Sequence, residues 1–189
     1  DAARAIPIHR WRADEFEDVR FCACLDDVDA FDPVVFATSR AEATAIDPQH
    51  RGALERVAAC RLDPRETRVA VFVGIQHVEY GRSGTSSSIG PFVATGRALS
   101  ACAGRVSFVF GFTRAAVAVD TACSASLVTI HLAFADRSNA SAHACVGVNY
   151  VLARETCEMV RAAGMLAADG RCKAFDAAAD GYGRAEAAA

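Results

Sequence analysis

Lysine is almost missing from this chain. Lys173 is the only one, so the basic charge rests on arginines spread along the sequence. The net charge is -3 and no basic cluster forms, which excludes an obvious nucleic-acid surface. No apolar run is long enough to span a bilayer, so no membrane crossing is expected. There is no internal repeat, and no low-complexity tract beyond the alanine-rich end. The opening residues Asp1-Ala2-Ala3-Arg4 hold neither an initiator methionine nor the apolar core of a signal peptide. The expectation is a piece of a longer cytoplasmic polypeptide. With 189 residues, 52% hydrophobic and 8% aromatic, the chain is long and apolar enough to fold around a core.

Cysteine, by contrast, is abundant: there are eight. In a small secreted protein that number would suggest a disulfide framework. Here Cys60, Cys102 and Cys145 sit in apolar helix-like or strand-like segments, where a free thiol behaves as a small hydrophobe. Cys22 and Cys24 form the only close pair. No second pair stands at a zinc-like spacing, so no metal is expected. The pattern fits a reducing compartment.

The first thirty residues read as polar and irregular, with Trp11, Phe16 and Phe21 as anchors. Ser39-Arg40-Ala41-Glu42 has the form of a capping box and predicts a short helix. Asp47-Pro48 predicts a second helix, capped by aspartate with proline at its first position and an apolar stripe at Leu54, Val57 and Ala58. Residues 69–75 lack polar alternation, as in a strand covered on both faces. Residues 82–90 are rich in glycine and serine and read as a loop. A helix is predicted over 99–110, stopping near Gly111. A second buried strand follows at 117–119, a buried apolar helix at 123–135, a third strand at 144–148 and a helix at 155–163. Strands alternating with helices predict an α/β fold with a mostly parallel sheet.

The segment Val117-Ala-Val-Asp-Thr-Ala-Cys-Ser-Ala-Ser-Leu127 carries the chemistry. A buried strand ends, the chain turns through Asp120-Thr121-Ala122, and a helix is expected to begin at about Cys123. Unpaired N–H groups and a partial positive charge at a helix start favour a thiolate. The same N–H groups could stabilise the oxyanion formed when sulfur attacks a thioester. The alternative is a structural cysteine that happens to lie near a helix start.

Val-Asp-Thr-Ala-Cys-Ser-x-Ser-Leu resembles the nucleophile motif of β-ketoacyl synthases, the ketosynthase domains of type I modular polyketide synthases. Animal-type fatty acid synthases share a close variant. The likeness extends in order through Phe31-Asp32-Pro33, Ser39 to Ala43, Asp47-Pro48-Gln49-His50-Arg51, Val71 to Ile75, Ala103 to Gly111, Gly147-Val148-Asn149, Ala163 to Leu166 and Asp169 to Asp176. It implies the thiolase-like fold, layered αβαβα. Residues 1–189 would be most of its first half, without the opening strand and the C-terminal half.

By this resemblance, Cys123 is the nucleophile and its backbone N–H helps form the oxyanion hole. The enzyme would be an acyltransferase joining an acyl chain to a malonyl-type unit by decarboxylative condensation. Substrates would ride on the phosphopantetheine of an acyl carrier protein, with no cofactor or metal bound directly. Partners would be that carrier, other polyketide synthase domains and a second copy in a homodimer. Two family histidines that drive decarboxylation find no match among His9, His50, His77, His131 and His143. His131 lies eight residues along the helix from Cys123, about 12 Å of rise, and cannot pair with the sulfur. His50 stands where glutamine is common and reads as structural. The 189 residues alone are therefore expected to be inactive, with a large apolar patch exposed.

Two departures stand out. Thr113-Arg114-Ala115-Ala116 replaces a usual Gly-Pro turn, and Arg184-Ala185-Glu186-Ala187 replaces Arg-Gly-Glu-Gly. Alanine at such points suggests altered loops or reduced activity. A non-catalytic relative acting as a scaffold or chain-length partner, and another thiolase-fold acyltransferase using coenzyme A, stay open as alternatives.

Overall fold

A computed structural model of the chain describes residues 3–7, 21–81 and 89–189. The expected anchors Trp11 and Phe16, His9, and most of the glycine-serine loop lie outside the described residues. The chain forms two compact units. One comprises residues 1–26, 79–87 and 150–186, and the other residues 27–78, 88–149 and 187–189.

The larger unit is built on a four-stranded sheet. Its strands are β3 (Val69–Gly74), β4 (Ala116–Val119), β5 (Ala142–Asn149) and β6 (Ala187–Ala188), in the order β4-β3-β5-β6. β4 and β5 run parallel to β3, and β6 is antiparallel to β5. The expected mostly parallel sheet is present, and the alanine-rich end supplies its last strand. Every residue of β3 is buried, which explains its lack of polar alternation.

Five helices belong to this unit: α1 (Arg40–Ala45), α2 (Pro48–Ala59), α3 (Val93–Arg97), α4 (Leu99–Phe110) and α5 (Ala125–Ala135). Ser39 Oγ accepts the N–H of Glu42 at 3.1 Å and starts α1. Glu42 itself reaches Arg105, 2.6 Å away. Asp47 accepts the N–H of Gln49 at 2.8 Å, with Pro48 in the first turn of α2. Gly111, at φ +69°, ends α4 in the left-handed region.

α2 buries Leu54 and Val57 as expected, but also Gln49, His50 and Arg51. Two of them find carbonyls: Gln49 Nε2 donates to His77 at 2.6 Å, and Arg51 Nε to Ile46 at 3.1 Å. His50 is fully buried, as a structural residue should be. Burial, with Arg105 nearby, pushes its imidazole down to about 3.

Three expectations need correction. β4 is not a buried strand: it is the sheet's edge among the described strands, and Val117 is 40% exposed. α5 is not buried all round. It covers β3 and buries Ala125 and Thr129, while Leu127, Ile130 and Phe134 are exposed at 68%, 46% and 85%. A continuous apolar sequence cannot tell a helix packed on one side from one packed on all sides. Cys60, expected inside an apolar helix, lies exposed at the end of α2.

The smaller unit holds a two-stranded antiparallel ribbon, β1 (Arg4–Ala5) with β2 (Phe21–Cys22), and the helix α6 (Arg154–Ala162). α6 has no side-chain cap of its own, since Ala153 stands at the cap position. Glu79 substitutes for it. Its carboxylate is wholly buried and accepts the N–H groups of Leu152 at 2.6 Å and Ala153 at 2.8 Å. Glu186 takes the N–H groups of Leu25 and Val151, each at 2.8 Å. A small apolar cluster of Ile6, Cys22, Cys24, Val151 and Cys157 completes the core of this unit.

Candidate active site

The parallel strands β3, β4 and β5 end together on one edge of the sheet, with β4 and β5 on opposite sides of β3. In open α/β sheets, chemistry collects at this carboxyl edge, where the connections leave in opposite directions. Cys123 is placed here. β4 ends at Val119, and the chain turns sharply through residues 120–124 before α5 begins at Ala125.

The turn is defined residue by residue. Asp120 Oδ1 accepts the N–H of Ala122 at 2.9 Å. Ala122 adopts φ +54°, a left-handed conformation that costs a non-glycine residue about 1–2 kcal/mol. Ser124 Oγ donates to the carbonyl and hydroxyl of Thr121 at 2.8 and 2.9 Å. The Ala125 N–H closes back on the Ala122 carbonyl at 3.0 Å. Cys123 is carried at the apex and is exposed. The helix starts two residues later than expected, so Cys123 precedes the first turn instead of lying within it. The competing turn hydrogen bonds of Asp120 and Ser124 delay the helix.

The other thiols differ. Cys102 is buried in α4, and burial pushes it up to about 12. Burial likewise raises Cys145 and Cys157. Cys22 is raised by its hydrogen bond to Cys24 and by burial. Only Cys60 and Cys172 share the exposure of Cys123. The eight sulfurs are all free thiols. Among the described residues, no cluster of His, Cys, Asp and Glu could hold a metal ion, and no helix is long and apolar enough to cross a membrane.

None of the described histidines joins Cys123. His131 is on α5, one of whose outward positions it occupies. His143, on β5, pairs with Asp136 at 2.9 Å and stacks near Phe72, a pairing with no signature in the sequence. His77 contributes its carbonyl to Gln49. The two alanine departures prove conformationally ordinary. Thr113 and Arg114 bond to Thr67 and Val69, and neither Ala115, Ala116, Ala185 nor Ala187 takes a positive φ.

A mostly parallel sheet covered by helices, with an exposed cysteine on a strained turn at its carboxyl edge, is the α/β architecture of the thiolase-like fold. The chain belongs to the β-ketoacyl synthase family: the profile of the β-ketoacyl synthase N-terminal domain matches residues 1–189. The ketosynthase from module 6 of the bacillaene synthase of Bacillus subtilis superposes with a TM-score of 0.85 and 32% identity, over 100% of this chain and 33% of that one. The oxazolomycin ketosynthase domain of Streptomyces albus gives 0.86 and 31%, over 100% and 37%. Among curated relatives, a mycocerosic acid synthase-like polyketide synthase of Mycolicibacterium smegmatis is 36% identical over 98% of this chain and 10% of its own length. The spectinabilin polyketide synthase system protein NorC of Streptomyces orinoci is 40% identical, over 100% and 9%. The chain thus spans about a tenth of the curated relatives and about a third of the solved ketosynthase chains.

Proposed function

We propose that the chain supplies the acyl-accepting part of a polyketide-type β-ketoacyl synthase, with Cys123 as nucleophile. The supporting observation is the exposed Cys123 between the left-handed Ala122 and the start of α5. The Cys123 sulfur attacks the carbonyl of an acyl thioester carried on the phosphopantetheine of an acyl carrier protein. The tetrahedral oxyanion meets the backbone N–H of Cys123. Collapse expels the carrier thiol and leaves an S-acyl cysteine. A malonyl-type thioester on a second carrier then loses carbon dioxide. The carbanion attacks the S-acyl carbonyl, releasing Cys123 and a β-ketoacyl thioester.

None of the described histidines stands beside Cys123, and this reading assigns decarboxylation to other groups of the synthase. Acyl carrier proteins, neighbouring synthase domains and a second copy of the synthase are the partners of this reading, and its setting is the cytoplasm. The test is acylation of the full-length synthase by an acyl-carrier thioester, with the adduct located by mass spectrometry. Modification at Cys123 that disappears in Cys123→Ala supports the reading. A well-folded synthase with no adduct at Cys123 leaves the non-catalytic scaffold as the better account.

A further inference from the structure

Gly74 closes β3, and its register partner across the sheet is Gly147 of β5. Neither has a positive φ, so backbone freedom does not explain glycine at either place. Space does. A Cβ built on Gly74 would lie 2.8 Å from the Ala125 carbonyl carbon and the Ser126 nitrogen, and 3.0 Å from the Ala125 oxygen. A Cβ on Gly147 would lie 2.6 Å from Ser126 Cβ. At this level β3 and β5 present no side chain, Val119 of β4 being the neighbour across the other side of Gly74, and the first turn of α5 rests on the backbone of the two strands. Farther along the same face the spacers return: Cys145 Sγ lies 3.6 Å from the Thr129 carbonyl, and Phe72 fills the next step of β3.

We propose that Gly74 and Gly147 are positioning residues for the Cys123 sulfur. They act through Ala125 and Ser126, and the proposal rests on the reading of Cys123 as the acyl acceptor. Residues 120–125 are tied into one piece by the bonds of Asp120 to Ala122, Ser124 to Thr121, and Ala125 to Ala122, and Ser126 follows Ala125 in the first turn of α5. Lifting the first turn of α5 therefore moves the apex of the turn with it. A displacement near 1 Å at a reacting atom lowers a rate by about a hundredfold.

The two glycines differ in what opposes them, and the difference gives the test. At Gly147 the obstacle is a side-chain atom, Ser126 Cβ, which Ser126→Gly removes. At Gly74 it is the backbone of α5, which no side-chain change removes. In the full-length synthase, Gly74→Ala and Gly147→Ala are each expected to slow acylation of Cys123 by about a hundredfold. Ser126→Gly should restore Gly147→Ala to within a few-fold of Ser126→Gly alone and leave Gly74→Ala slow. Thermal midpoints and the iodoacetamide alkylation rate at Cys123 are measured alongside.

Rescue of both variants, rescue of neither, or acylation losses that merely track the thermal midpoint would overturn the proposal. If Gly74→Ala does not fold, the Gly147 and Ser126 pair decides alone, by rescue or its failure. A wild-type synthase that never acylates at Cys123 instead sinks the reading of Cys123 as acceptor, and with it any positioning for that reaction. The alkylation rates then still report whether the glycines place the turn.

Discussion

The carboxylate of Glu79 is fully buried and lies 3.2 Å from the guanidinium of Arg184, whose other nitrogen is 3.1 Å from Cys157 Sγ. Glu79 is also the acceptor for two backbone N–H groups ahead of α6. Removing it strands a buried cation and two buried donors at once. Glu79→Ala should cost about 3–5 kcal/mol of stability. Glu79→Gln keeps an acceptor and should cost less. Urea unfolding followed by circular dichroism checks both, and equal midpoints for Glu79→Ala and wild type would refute the assignment.

His50 makes stability depend on pH. Its folded value is pushed down to about 3 by burial, while the unfolded chain titrates near 6.5. The unfolded state therefore binds more protons between these values, and stability falls as pH falls from 6.5 toward 3. The loss from this group at pH 5 is about 2 kcal/mol. His50→Gln should flatten the difference between unfolding midpoints at pH 7 and pH 5. An unchanged slope would mean that other groups set it.

The left-handed Ala122 should discriminate among substitutions. Ala122→Gly relieves the strain and should leave the Cys123 acylation rate within a few-fold of wild type. Ala122→Val places a β-branched residue at positive φ and should lower both folding yield and rate. Asp120→Ala removes the acceptor for the Ala122 N–H, worth about 1 kcal/mol, and should slow acylation more than it lowers the thermal midpoint. Equal tolerance of valine and glycine at 122 would argue against a fixed turn.

Burial sorts the thiols. A brief pulse of iodoacetamide on the folded chain should label Cys60, Cys123 and Cys172. Cys22, Cys24, Cys102 and Cys157 should react only in urea, and Cys145 slowly. Peptide mass spectrometry before and after denaturation gives the order. Rapid native labelling of Cys102 would contradict its burial in α4.

Much of the fold was legible because the signals were local. Ser39 with Glu42, and Asp47 with Pro48, announced two helix starts through contacts within three residues. Gly111 announced a helix end. The unbroken apolar run at β3 announced a strand covered on both faces. What could not be read was which apolar run would be covered: α5 and β3 look equally hydrophobic, but coverage depends on neighbours distant in sequence. The cysteine itself was legible from its flanking residues. Its support was not. Gly74 and Gly147 are 73 positions apart in sequence, and only the register of β3 with β5 brings them beneath Ser126. Glu79 and Glu186 looked like unremarkable charges until the backbone groups they accept were in place.

Ala185 lies opposite Ala23, and Ala187 opens β6 against Asn149. Both stand where the family resemblance leads to an expectation of glycine, and neither takes a positive φ. Their effect lies mainly in the denatured chain. Alanine samples fewer backbone shapes than glycine, so each exchange at a compatible site favours folding by about 0.4–1 kcal/mol through lost disorder in the unfolded ensemble. The two alanines thus act on a state of the chain that the folded structure does not display.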